Sequence, residues 1–469
     1  MQTGLLARET GDLSPHDLAR SITDQLLHAF APAPQHRFHG EAPSSSLPVD
    51  ESVWHDPPPR AHAAGVSALA VEKFDGRLLV SGGAEGSIKI WDLDEPATPH
   101  TRHIFRPVGT IRRDAEGVRV SGGGRSGGHS HGITHLAFYA FDQDAFLSSS
   151  YDKTLKLWAT QRAALTASFD LNATVYSHAM SPLAGHLLVS CATQHSNVRL
   201  VDLKSGAAVQ ALVSHGGPVL TTAWSPLREH VLASGHADGK VRIWDVRRAG
   251  GAIALLDQED SLGITGGTTG NATAQAHDEP VNGLAWTDDG AHIVSAGLDR
   301  KVRVWDAATG ANTLASFGAR IQNQHARTAA LIVPASPGGG MLVWPNDHEI
   351  LMLDLLHGTL LTRLRSPHGP GHGTRTRITS IAWRSHGGGT GPNGRAGMGG
   401  NNSLGAIYSA HSDGQMRAWM PLVPGPDDVD EADPAEEAAE EKSRKRRAID
   451  SAYRSFMGRE ITFTGRGGQ

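Results

Sequence analysis

One sixteen-residue pattern returns along this chain at a fixed internal spacing. Residues 78–93 read LLVSGGAEGSIKIWDL and residues 231–246 read VLASGHADGKVRIWDV. Residues 147–158 (LSSSYDKTLKLW), 293–306 (IVSAGLDRKVRVWD) and 407–419 (IYSAHSDGQMRAW) keep its core. Asp152, Asp238, Asp299 and Asp413 each stand six residues before a tryptophan: Trp158, Trp244, Trp305 and Trp419. Glu85 stands in the same place before Trp91. Ser81, Ser148, Ser234, Ser295 and Ser409 sit four residues before the acidic position. His62, His215 and His277 lie 28 or 29 residues before their tryptophan, and His131 lies 27 before Trp158. In Lys240–Trp244, Val241 and Ile243 alternate with Lys240, Arg242 and Trp244, the period-2 pattern of a strand. The preceding His-Ala-Asp-Gly supplies a turn that tolerates positive φ. A unit of this size cannot bury its apolar face alone, so copies must stack on one another.

Two weaker units extend the series. Residues 187–203 carry His195 at the acidic position and Val201 at the tryptophan position; residues 341–355 repeat the strand pair with poorer turn chemistry. The units resemble the WD40 repeat, four strands to a propeller blade. The fold expected is therefore all-β: a seven-bladed WD40 β-propeller over residues 46–422, the sixth blade being the least regular. Gly-, Ser- and Thr-rich inserts near 110–130, 257–276 and 385–405 are expected as rim loops. Residues 1–45 are expected as a helical arm. Ser14 can cap, Pro15 suits the first helical position, and Leu18, Ile22, Leu26 and Phe30 form a stripe ended by Pro32 and Pro34. Residues 423–469, acidic from Asp427 to Glu441 and basic at Lys442–Arg447, are expected as a disordered C-terminal tail.

Composition narrows the function. Gly is 55 of 469 residues and charged residues are 19%, which suits a turn-rich β protein. A single cysteine, Cys191, excludes a disulfide framework and Cys-rich zinc modules and favours a reducing compartment. No stretch approaches about 18 apolar residues, and residues 1–10 lack a leader's apolar core, so neither a membrane span nor a leader is expected. A net charge of −5 gives no support for non-specific nucleic-acid binding.

Ser, His and Asp together suggest a hydrolytic triad. Here the set recurs in several repeats, and no G-x-S-x-G elbow surrounds any of these serines. The WD40 resemblance implies a structural role, a buried hydrogen-bond network ending on each indole, with His62, His215 and His277 among its members. No H-E-x-x-H or Cys pair points to metal. Gly122–Gly128 (GGGRSGG) lacks the strand–helix setting and Lys-Ser/Thr ending of a phosphate cradle, so no cofactor is expected. One position differs informatively between repeats. Three residues after the tryptophan stand Asp94, Gln161, Arg247, Ala308 and Leu422. Only Trp244-Asp245-Val246-Arg247 places a guanidinium fork there, as an ordinary surface arginine or as a docking residue. The arm's stripe has the same two readings: packing on the propeller, or a helix-in-groove anchor. Lys442–Arg447 (KSRKRR) fits a nuclear localisation signal or a solvated basic patch.

W-D-x-R resembles the docking motif of cullin-4 ligase substrate receptors. Further segments resemble the Cockayne syndrome group A family of WD40 proteins: LLARETG (5–11), SSSYDKTLKLW (148–158), TVYSHAMSP (174–182), VDLKSG (201–206), VRIWDVRRAG (241–250), LDQ (256–258), the run from Ala276 to Trp305, and GANTL (310–314). They run in order over roughly residues 1–422. The resemblance implies a non-catalytic receptor that joins a cullin-4 RING ubiquitin ligase through its damaged-DNA-binding adaptor subunit. It implies action in the nucleus, in transcription-coupled repair, at stalled RNA polymerase II, beside a Cockayne syndrome group B-like translocase. It implies adaptor contacts by Leu5, Leu6 and Arg8, by the stripe Leu18, Ile22 and Leu26, and by Arg247. The Gly-rich inserts and the tail depart from that family. The competing expectation is a WD40 scaffold for a chromatin or RNA-processing assembly, which would keep its partners without residues 1–30.

Overall fold

The computed structural model describes residues 9–11, 14, 29–41, 59–93, 102–114, 127–183, 185–248, 251–263, 274–322, 340–365, 376–384 and 406–421. The arm residues Leu5, Leu6, Arg8, Leu18, Ile22 and Leu26, and the segment 423–469, lie outside them. The described strands form seven sheets. Blade 1 is β2 (Val66–Val71), β3 (Leu78–Gly83), β4 (Ile88–Asp92) and β6 (Pro107–Ile111). Blade 2 is β7 (Ile133–Phe138), β8 (Ala145–Ser150), β9 (Thr154–Ala159) and β10 (Ala164–Asp170). Blade 3 is β11 (Val175–Met180), β12 (Leu188–Thr193), β13 (Val198–Asp202) and β14 (Ala207–Leu212). Blade 4 is β15 (Val219–Trp224), β16 (Val231–His236), β17 (Val241–Asp245) and the short β18 (Ala254–Leu255). Blades 5 and 6 show three strands each: β19 (Val281–Trp286), β20 (His292–Gly297), β21 (Val302–Asp306), and β22 (Met341–Pro345), β23 (Glu349–Asp354), β24 (Leu360–Arg365). Blade 7 joins β25 (Ile378–Arg384), β26 (Ala406–His411) and β27 (Met416–Pro421) to two strands from elsewhere: β1 (Phe30–Phe38) and β5 (His103–Phe105). The seven-bladed propeller read from the repeat is the fold, and the sixth unit makes a sheet.

The core is a ring of seams rather than a single centre. Each of seven apolar clusters takes its residues from two consecutive sheets. Ile88, Ile90, Ile133, Phe146 and Trp158 fill the gap between blades 1 and 2. Val294, Val304, Trp344, Leu351 and Leu353 fill that between blades 5 and 6. The last seam, between blades 7 and 1, holds Phe38, Leu79, Trp91, Phe105, Tyr408 and Met416, so the ring closes. Blades 3 and 6 replace the Ser–Trp pair of the other blades with apolar side chains: Cys191 and Val201, Val343 and Leu353, all fully buried. Burial pushes the Cys191 thiol up to about 12, leaving it a small core hydrophobe. On the inner strands, hydroxyls tie each blade to the next. Ser67 donates to the Ile133 carbonyl (2.6 Å), Thr134 to Val175 (2.7 Å), Ser177 to Leu220 (3.2 Å), and Thr379 to Val66 across the closure.

The N-terminal boundary needs correction. Phe30, expected on the helical stripe, and Pro32 and Pro34, expected to end it, lie in β1, an antiparallel partner of β27. The propeller therefore begins at Phe30 rather than at residue 46. Two prolines fit a strand here because pairing with β5 covers only His36–Phe38, and the β27 register shifts between Pro32 and Arg37. At the prolines one side of β1 is an edge, where a missing N–H disrupts no ladder. Phe38 is buried, stacked on Phe105 (4.8 Å) and edge-on to Trp91 (5.3 Å) and Tyr408 (5.9 Å).

Candidate functional site

The repeated polar residues meet inside the blades. In blade 1 the Trp91 indole donates to Ser81 (2.9 Å), Ser81 lies 2.8 Å from His62 Nε2, and His62 Nδ1 lies 2.7 Å from Glu85. Blade 5 repeats the chain through Trp305, Ser295, His277 and Asp299. Blade 2 runs it through Trp158, Ser148 and Asp152. Its histidine is His129, at 29 residues before the tryptophan, rather than His131; the spacing in blade 1 already marked it. Burial alone raises the Glu85 carboxyl, but hydrogen bonds from His62 and Ser87 outweigh it and hold the group at about 2. Burial lowers His62 and His277, so their rings stay neutral. A neutral imidazole donates once and accepts once, which is what a Trp–Ser–His–carboxylate chain needs.

Blades 4 and 7 close the network differently. Trp244 donates to Ser234 (2.7 Å), whose partner is His236 (2.7 Å), within the same strand. Trp419, Ser409 and His411 repeat this. His215, expected in the network, is exposed, and its carbonyl accepts from Arg242. Asp238 instead pairs with Arg242 (2.8 Å), and Asp413 accepts from the Gln415 amide (2.9 Å) and lies 3.9 Å from Arg417. The position two residues after the serine decides which arrangement forms. It is Gly83, Ser150 or Gly297 where the histidine arrives from the preceding loop, and a Cβ on Gly297 would come within 2.5 Å of His277. Where that position is itself histidine, the strand's own ring takes the serine. The lysine or arginine two residues before each tryptophan also serves the network. Lys89 and Lys156 hold the Ala61 and Gly128 carbonyls, immediately before His62 and His129. The repeated serines thus serve the buried network, with His62, His129, His236, His277 and His411 as their imidazole partners.

The distinctive surface group is Arg247. It follows β17 on the connection toward β18, its side chain 65% exposed. Asp245 holds it as a fork: Nε to Oδ1 at 3.0 Å and Nη2 to Oδ2 at 2.7 Å. The Arg247 hydrogen bond keeps the Asp245 carboxyl down at about 2. The guanidinium is thus pre-positioned with donors still facing outward. In each meandering blade the first-to-second and third-to-fourth connections share one end. Arg247 lies at that end. Phe30 also lies there, because it pairs with Pro421, the last residue of β27, which runs parallel in sense to β17. Residues 1–29 therefore join the propeller at the end that carries Arg247.

Known families match this arrangement. The profile of the WD domain, G-beta repeat, fits residues 59–92, 125–159, 206–245 and 270–306. The chain is a WD40-repeat protein. Each matched WD40 unit ends at the third strand of a blade, and 206–245 starts just before β14 of blade 3, so one unit spans two blades. Among WD40 relatives, WD repeat-containing protein ATCSA-1 of Arabidopsis thaliana is 29% identical over 321 residues, covering 55% of this chain and 69% of the relative. Radiation-sensitive protein 28 of Saccharomyces cerevisiae is 25% identical over 193 residues, 38% of each chain. Ribosome biogenesis protein YTM1 of Yarrowia lipolytica is 29% identical over 294 residues, 56% of this chain and 53% of the relative. The chain thus spans about half or less of the latter two WD40 proteins.

Proposed function

We propose that this WD40 protein is the non-catalytic substrate receptor of a cullin-4 RING ubiquitin ligase, working in the nucleus in transcription-coupled nucleotide-excision repair. The observation that carries the reading is the shared end of the propeller: a clamped, outward-facing arginine and the root of the N-terminal arm offer one partner two handles. On this reading the adaptor subunit takes Arg247 together with Leu5, Leu6, Arg8, Leu18, Ile22 and Leu26. The rest of the ring presents targets from the complex of RNA polymerase II and its Cockayne syndrome group B-like translocase. Ubiquitin transfer then follows from raised effective concentration, with no chemistry by this chain. The matches to ATCSA-1 and to a protein named for radiation sensitivity support it. A second reading, a scaffold in an RNA-processing assembly, is favoured by the match to YTM1.

The test is binding of the purified chain to the cullin-4 adaptor. Full length is compared with residues 29–469 and with Arg247→Ala. The truncation must stop before Phe30, because removing β1 would damage the propeller itself. We expect roughly tenfold or greater loss for each change, with melting unchanged. A folded full-length chain that ignores the adaptor would transfer the assignment to the scaffold reading.

A further inference from the structure

The tip of blade 4 beside Arg247 is more than a charge. The loop between β15 and β16 is rigid: Ser225 Oγ accepts from the Leu227 and Arg228 amides (3.4 and 3.2 Å), and the Val231 amide closes on the Arg228 carbonyl (3.1 Å). This loop carries Leu227, a residue that is 64% exposed. From below, Leu227 rests on the turn of blade 5. A Cβ on Gly290, at φ +63°, would come 2.8 Å from Leu227 Cγ, so the leucine lies flat on bare backbone. The next residues of the loop touch the arginine's own connection. The Val246 amide donates to the His230 carbonyl (3.0 Å), and the Glu229 carboxylate adds to the field around Arg247. Glu229 in turn pairs with His230 (2.8 Å), and its carbonyl accepts from His186 (2.6 Å). Arg228, Arg247 and Arg248 stand at this tip with Glu229 and Asp245, and the turn under Leu227 adds the exposed Asp288 and Asp289.

We infer that Leu227 is the apolar anchor of the surface whose polar anchor is Arg247, and that both seat on the same protein partner. This rests on the reading of Arg247 as the adaptor-docking residue. The occupant is the adaptor, which must offer an apolar socket bordered by carboxylates or carbonyls. Two features select it. The loop of Leu227 touches the connection of Arg247 through the Val246–His230 hydrogen bond. Leu227 also stands at the end where the arm joins the ring. An exposed leucine already held against its neighbours loses little freedom on binding.

The experiment titrates the full chain with the purified adaptor at two salt concentrations. Leu227→Ala is expected to weaken binding about tenfold with an unchanged salt slope, and Leu227→Met to restore it. Arg247→Ala is expected to weaken binding and flatten the slope. Val108→Ala, an exposed apolar change on β6 of blade 1, should alter neither. Wild-type affinity in Leu227→Ala, with Arg247→Ala impaired, overturns this inference and leaves the docking reading standing. Wild-type affinity in both variants removes the docking reading and the inference with it.

Discussion

At the scale of single residues, one position separates the two forms of the buried network in blades 1, 2, 4, 5 and 7. Ser-Gly-Gly, Ser-Ser-Ser and Ser-Ala-Gly admit a histidine from the preceding loop; Ser-Gly-His and Ser-Ala-His supply it from the strand. The serine is the shared joint in both versions. Ser234→Ala would leave the Trp244 indole N–H and the His236 ring nitrogen buried without their partner. Each such group costs about 1–3 kcal/mol, so we expect roughly 2–4 kcal/mol of destabilisation, read from urea unfolding. A loss under about 0.5 kcal/mol would show that the hydroxyl does not join the two rings. The repeat's Ser, Asp and Trp positions were legible from spacing alone. Which histidine joins them was not, because blade 4 offers two imidazoles, His215 from the preceding loop and His236 from the strand, and only the folded blade shows that His236 meets Ser234.

At the scale of elements, β1 is the informative case. Its residues look like a helix terminus followed by proline breakers. Its role as the outer partner of β27 depends on a strand nearly four hundred residues away, which no local pattern reveals. The long connection of blade 1 then adds β5 in parallel, and Phe105 covers Phe38. This clasp predicts a sharp boundary for truncation. Residues 29–469 should melt as the full chain does. Residues 39–469 should melt several degrees lower and unfold with a broader transition, because Trp91, Phe105, Tyr408 and the β27 edge lose the cover that Phe38 and β1 give them. Equal melting of the two truncations would remove β1 from the closure. The same clasp gives the arm its place: whatever engages residues 1–28 is tethered to the rim of blade 7, at the end that carries Arg247.

At the scale of the whole molecule, the ring buries many histidines in neutral form. Burial lowers His36 and His135 to about 4 and His236 to about 3, and holds His178 and His411 well below their ordinary value of 6.5. In the unfolded chain these rings take up protons near pH 6.5, whereas in the ring they do not. The unfolded state therefore binds more protons between about pH 6.5 and 4, and stability falls as pH drops through that window. Each such ring contributes up to about 1.4 kcal/mol per pH unit there. The network carboxylates act lower. Glu85 and Asp299, held near 2, contribute stability present above their unfolded values and lost as pH falls toward 2. Urea midpoints at pH 7.5, 5.5 and 4.5 should decline steadily, and His236→Gln should shallow the decline. A midpoint constant from 7.5 to 4.5 would contradict the neutral assignment.

The sequence by itself determined the architecture. The Ser–Asp–Trp spacing recurs, and a repeated amphipathic strand unit can bury its face only against copies of itself. It also singled out Arg247, because a departure from a repeat is visible against the repeat. The tertiary structure decided what depends on neighbours in space: that blades 3 and 6 seal their seams with Cys191, Val201, Val343 and Leu353, that Asp245 aims Arg247, and that Leu227 stands beside it on Gly290. Ring closure brings blades 7 and 1 together and sets β1 on β27 through shape and burial, which are properties of the assembled ring rather than of any segment.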